Sequence, residues 1–307
     1  MAHFIDSKKL NKQDCDNLVN SSDNGLPYAY SWYLDSVCDN WGVFTDDNMN
    51  TAIPLCTKKK AGVKIVYQPK FTRQFGFYGK QNKKIISEYF SYLASNYKEI
   101  ILGLDISIQV SSEFKNKEYF YQKLKLNKSY DNLKKSFSEN TIRQIKKAVK
   151  NNLTISTHTS PKEFVVFFKR HTAANIKDLN NKDYTILLKL IDSAQRNDAL
   201  KIFSVFKNKE LIASACFIYM PHKVLYLKGS SSDEGRKTGA MYFLFDSFLQ
   251  THAQNYELLD FSGSRIKGVA DFNLKWGAEN EEYNFIENYN SPLYFKMLKK
   301  VKNILKK

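Results

Sequence analysis

At 307 residues, with 43% hydrophobic and 25% charged side chains, the chain is long enough for one large domain or two of ~150 residues and too apolar for wholesale disorder. Lys and Arg number 47 against 31 Asp and Glu, a formal charge of +16 that favours anionic partners, whether a nucleotide cofactor, a nucleic acid or a membrane face, without choosing among them. No apolar run approaches the ~18 residues of a membrane span, and Asp6, Lys8, Lys9, Lys12 and Asp14 leave no apolar signal core near the start, so a cytoplasmic location is expected.

The first predicted elements are three short strands in "WGVFTDDNMNTAIPLCTKKKAGVKIVYQP": Gly42 to Thr45, Thr51 to Cys56 and Val63 to Gln68. The loop that follows, "YQPKFTRQFGFYGKQNKK", interleaves Tyr67, Phe71, Phe75, Phe77 and Tyr78 with Lys70 and Arg73. Aromatic faces beside cations suit a sugar, nucleotide or anionic peptide, and the same residues suit ordinary packing. A helix comes next, "KKIISEYFSYLASNY", with Ile86, Phe90, Leu93 and Tyr97 at helical spacing, and then the strand "EIILGL".

In "SFSENTIRQIKKAVKNNLTI", Ser136 and Glu139 have capping-box spacing ahead of an apolar stripe of Ile142, Ile145 and Val149. Arg143, Lys146, Lys147 and Lys150 share another face, which is either solvated or placed against a phosphate-bearing ligand.

The order of elements then recurs. Strands at Lys201 to Phe206, Leu211 to Tyr219 and Val224 to Lys228 lead through a loop into the helix "AMYFLFDSFLQTHAQNY" and the strand "ELLDFSG". Two copies of one mixed α/β unit are the economical reading, 1–135 and 136–307. The tail "YFKMLKKVKNILKK" sets Phe295, Leu298, Val301 and Leu305 at helical spacing among lysines, a pattern that fits either docking on its own domain or contact with an anionic membrane.

The loop ahead of the second helix contains "RKTGA", Arg236, Lys237, Thr238, Gly239 and Ala240. A strand-to-helix junction offers backbone N–H groups and the positive end of the helix dipole to a phosphate. Neither the Walker pattern nor GxGxxG is present. The stretch resembles, one residue short, the degenerate [QR]xxGx[GA] loop with which the GNAT superfamily of N-acyltransferases binds the pyrophosphate of acyl-coenzyme A. With "LPYAYSWYLDSVCDNWG", "TIRQIKKAVKNNLTI" and "FSGSRIKGVADFNLKWGAE" in that order, the chain is similar over roughly residues 20–290 to the FemAB-like branch, which duplicates the GNAT fold and includes the Fem-type peptidoglycan aminoacyltransferases.

The resemblance implies an α+β (mixed α/β) fold of two tandem GNAT-like domains, each a mixed, mainly antiparallel sheet flanked by helices, the first on the acceptor side and the second on the acyl-CoA side. It implies an N-acyltransferase that moves an acyl group from acetyl-CoA or a longer acyl-CoA, held by Arg236 to Ala240, to a small-molecule, peptide or sugar amine. The alternatives are an aminoacyl-tRNA-dependent aminoacyltransferase, for which tRNA is the partner, and a catalytically inactive binding module. The family commonly ends with FxKxFG or FKxxFG, where a lysine stabilises the reacting carbonyl. Phe272 to Gly277 instead reads "FNLKWG", with its lysine at Lys275.

Acyl transfer to an amine draws much of its rate from positioning, so a strong general base is optional. The candidates are Asp260 at a strand end, Tyr242 early in the helix, and Asp271 with Lys275 in "DFNLKWG". Asp260 also fits a turn-capping carboxylate, and Tyr242 a packing role. His3, His158, His171, His222 and His252 show no HxxxH or HxH spacing, so no metal is expected. Cys15, Cys38, Cys56 and Cys216 form no CxxC pair, which points to reduced, buried thiols.

Overall fold

The computed structural model describes residues 2–172, 179–263 and 266–304. By internal packing the chain divides into two units, Met1–Tyr119 with Glu282–Lys307, and Phe120–Glu281.

The first unit contains β1 (His3–Asp6), α1 (Lys12–Asn20), α2 (Ser31–Val37), β2 (Trp41–Thr45), β3 (Thr51–Lys60), β4 (Val63–Tyr67), β5 (Tyr78–Gly79), α3 (Lys83–Asn96) and β6 (Glu99–Asp105). β7 (Lys115–Lys125) carries the chain into the second unit, which contains α4 (Tyr130–Lys134), α5 (Glu139–Val149), β8 (Thr154–Ser156), α6 (Pro161–Thr172), α7 (Asn181–Arg196), β9 (Leu200–Lys207), β10 (Glu210–Tyr219), β11 (Lys223–Ser231), α8 (Asp233–Thr238), α9 (Ala240–His252), β12 (Leu258–Asp260) and α10 (Lys267–Leu274). β13 (Glu279–Tyr289) returns it to the first unit, where α11 (Leu293–Ile304) follows.

Each unit repeats one topology. β2, β3 and β4 form an antiparallel meander, α3 crosses over, and β6 pairs parallel to β4. β9, β10 and β11 do the same, with α9 the crossover and β12 parallel to β11. The last strand of each set is exchanged. β13, from the end of the chain, pairs antiparallel with β6, and β7, from the first half, pairs antiparallel with β12. The expected boundary near residue 135 therefore does not coincide with the packing division. The C-terminal segment groups with the first unit because β13 completes its sheet and Phe295 packs on Val63 and Ile65.

The second unit's core is aromatic. Phe217 stacks on Phe248 with ring centres 4.3 Å apart, and Phe245 meets Tyr226, Phe261 and Trp276 within 6 Å. Such stacking adds to the area each ring buries.

Two local expectations are corrected. α5 is capped by Ser138, whose hydroxyl accepts from the Thr141 N–H at 3.2 Å, whereas Ser136 donates to the Leu133 carbonyl of the preceding turn. Val149 lies outside the apolar stripe, 61% exposed, while Ile145 is buried. In the first unit Phe75, Phe77, Tyr78 and Arg73 are buried, which is the packing alternative for those four, while Tyr67 and Phe71 are half-buried and Lys70 is exposed. All four cysteines are free and buried, as expected.

Candidate functional site

The parallel pairing of β11 with β12 runs only from Lys223↔Leu258 to Leu225↔Asp260. Beyond Leu225, β11 continues to Ser231 against β10, so the second unit's sheet forks at the C-terminal end of the parallel β11–β12 pair. Ligands of open α/β sheets collect outside such carboxyl ends.

Asp260 stands at the fork, 4% exposed. Its Oδ1 accepts from the Ser262 N–H at 2.7 Å, and the Ser262 hydroxyl donates to the Tyr226 carbonyl at 2.8 Å. That geometry is an Asx turn, which holds Ser262 in the left-handed region at φ 62° and returns the chain towards α10. Ser264 and Arg265 of the "SGSR" stretch lie outside the described residues.

Lys228, three residues past the last β11 position paired with β12, was not singled out from the sequence. Burial pushes its ammonium below the ordinary lysine range, so the amine gives up its proton more readily than an exposed lysine does. A lysine closing an apolar strand was the only sequence signal.

The expected RKTGA loop is a helical turn. Ser232 caps α8 through its hydroxyl, which accepts from the Gly235 N–H at 3.1 Å. Gly239, at φ 77°, ends α8 and starts α9 without a side-chain cap. Arg236 is exposed, but its guanidinium is held by the Asp233 carboxylate and by the Ser231 carbonyl at 2.6 Å. Lys237 is exposed as well. Thr238 is buried, its hydroxyl donating to the Glu234 carbonyl at 2.8 Å, and Ala240 is fully buried in the core. Of the five, only Arg236 and Lys237 present charge at the surface.

α5 roofs this junction. A Cβ added at Gly239 would lie 3.1 Å from the Gln144 carbonyl and 3.6 Å from the Ala148 methyl. α10 clamps α5 from the other end, because the Lys275 carbonyl accepts from the Ser138 N–H at 2.9 Å and from the Thr141 hydroxyl at 3.0 Å. Lys275 thus contributes its backbone to the cap of α5. Tyr242 lies between the two helices, packed edge-on to Phe272 at 5.2 Å, with Asn140 donating to its hydroxyl at 3.4 Å. Burial raises its pKa, which keeps the phenol neutral.

The outer side of α4 and α5 is a groove of about 760 Å³ lined by Lys134, Lys135, Arg143, Lys146, Lys147 and Lys150. Phe137 and Ile142 supply its apolar lining, and Glu139 is its one acidic group. The basic face expected of this helix is therefore one wall of a concave site. A second pocket, of about 690 Å³, lies in the first unit, lined by Asn24, Asn50, Gln81, Asp105 and Ser107 together with Leu18, Met49 and Phe77.

No protein-family model matches the chain, and no curated protein matches it. Solved structures do. The structure of FemX aligns with a TM-score of 0.71 at 15% identity, over 95% of this chain and 98% of that one. L-PGS from Bacillus licheniformis aligns at 0.57 and 13% identity, over 94% and 95%. A tandem GNAT protein from the clavulanic acid biosynthesis pathway aligns at 0.53 and 10% identity, over 95% and 99%. The chain has the FemAB-like duplicated GNAT fold.

Proposed function

We propose that the chain is an aminoacyltransferase that moves an amino acid from aminoacyl-tRNA to an amine, the second unit taking the donor and the first the acceptor. The six-cation groove on α4 and α5 carries this reading, because its size and charge suit a nucleic-acid backbone and it lies on the helix that covers the start of α9. Likeness of fold to FemX supports it by analogy.

In the reaction the acceptor nitrogen attacks the ester carbonyl of the aminoacyl group. An amide C–N bond forms, the C–O bond to the terminal ribose breaks, and the proton lost from the amine goes to the ribose oxygen by way of a protein group. Lys228, its pKa lowered by burial, is our candidate for that group, while Asp260 fixes the turn after β12 and Tyr242 and Lys275 hold α5 and α10 together. In the first unit, the Asp105 carboxylate at the second pocket suits an acceptor ammonium.

Retention of bulk tRNA on the immobilised protein tests the reading. If all six groove cations engage phosphates, log affinity falls against log salt with a slope of roughly −4 to −5. Arg143→Glu with Lys147→Glu should flatten that slope by about 2. Retention unchanged in the double variant would remove the groove from the function.

The second reading, acyl-CoA as donor, is favoured by the uncapped start of α9 behind Arg236 and Lys237. It predicts a rise in melting temperature with acetyl-CoA or longer acyl-CoAs, which the tRNA reading does not.

A further inference from the structure

α11 is fastened to the first unit along one face. Phe295 is 1% exposed against Val63 and Ile65, and Lys299 Nζ lies 2.6 Å from both carboxylate oxygens of the buried Glu99, which also accepts from the Ser291 hydroxyl at 2.7 Å. The Tyr294 hydroxyl donates to the Ala61 carbonyl at 3.0 Å, tying the helix to the β3–β4 hairpin.

The opposite face is apolar and open. Leu293, Met297 and Val301 follow one another at intervals of four, with Tyr294 and Leu298 one residue on from the first two, and their exposures are 68%, 58%, 54%, 50% and 53% respectively. At ~100° per residue these five span roughly 140° of the helix, centred nearly opposite Phe295 and Lys299. Exposed Lys300 borders the stripe, with Lys296 beyond it. Lys58 and Lys60 stand across the hairpin from Ile65 and Val63, on the sheet face that carries α11.

We propose that α11 is an interfacial helix that lies on an anionic lipid surface, its apolar face in the acyl boundary and the lysines of α11 and the hairpin among the headgroups. The composition of the helix selects this occupant. At 12 residues it is far too short to span a bilayer, and no helix among the described residues is long and apolar enough to do so. A second copy of the chain would bring the same lysines into apposition around the same stripe, where like charges oppose docking. An anionic bilayer supplies the apolar phase and the opposite charge together. The inference is independent of the donor, since it rests on residues of the first unit alone.

Co-sedimentation of the full chain with vesicles tests it. The protein should pellet with equimolar phosphatidylglycerol and phosphatidylcholine, stay in solution with phosphatidylcholine alone, and be released by high salt. Met297→Glu with Leu298→Glu, both at exposed positions, should weaken vesicle binding about tenfold or more, and Lys296→Ser with Lys300→Ser several-fold, with unchanged melting temperature. Equal binding to neutral vesicles, or retention by the glutamate variant, would overturn the proposal. So would a wild-type dimer in light scattering that the glutamate variant dissociates, which would make the stripe a contact between copies.

Discussion

His252 is buried at 3% exposure and its two ring nitrogens have divided tasks. Nδ1–H donates to the Phe248 carbonyl at 2.8 Å, which leaves Nε2 to accept from the Tyr219 hydroxyl at 2.8 Å. Burial, with Lys201 adding to it, holds its pKa below the ordinary value, against the Phe248 hydrogen bond. The unfolded chain therefore binds a proton near pH 6.5 that the folded chain does not, so this contribution to stability is complete above that pH and is lost on acidification below it. The urea midpoint should drop between pH 7.5 and pH 5.5, and His252→Phe, though less stable at pH 7.5, should show a shallower drop. Lys228 makes a separate prediction in the proposed reaction. Turnover should rise with pH as its amine loses its proton, and Lys228→Arg, which keeps the charge but stays protonated, should lower kcat by about 10²–10⁴ while leaving tRNA retention intact.

Among the elements, α5 carries the most consequence, since it roofs the start of α9 and lines the groove. Ser138→Ala removes its cap and should cost about 1 kcal/mol in urea unfolding. Gly239→Ala forces a side chain into the left-handed region at about 1–2 kcal/mol and presses a methyl toward the Gln144 carbonyl, so its loss should be the larger. The meanders, α3 and α9 were legible because apolar period and turn residues are local signals, and the basic face of α5 was legible for the same reason. What covers a helix is decided by distant residues. The cap moved from Ser136 to Ser138 because the Lys275 carbonyl, more than a hundred positions away, takes the Ser138 N–H. Spacing found the apolar positions of α11, but Phe295 alone of Phe295, Leu298 and Val301 is covered, and Leu305 lies outside the described residues. Arg236 and Lys237 read as a loop in the sequence, although they lie in α8, because the residues that fold them into that helix also suit a flexible turn.

On the scale of the molecule, the first unit is written in two pieces around the second. A fragment of residues 1–135 lacks β13 and α11, leaving β6 without its antiparallel partner and Val63 and Ile65 without Phe295. It should unfold in urea without a cooperative transition, whereas 120–281 should give a sigmoidal one by circular dichroism. A cooperative 1–135 would show that the exchanged strand is dispensable. The halved first unit also sets an order of events on the ribosome. β13 follows β6 by more than 170 residues, which at bacterial or eukaryotic elongation rates is roughly 10 to 40 s of synthesis. Throughout that interval the earliest-made sheet waits with an open β6 edge, the kind of edge on which other strands add. Of the two units, the one begun first is thus the one finished last, and a nascent-chain chaperone has its longest task on that unit's sheet.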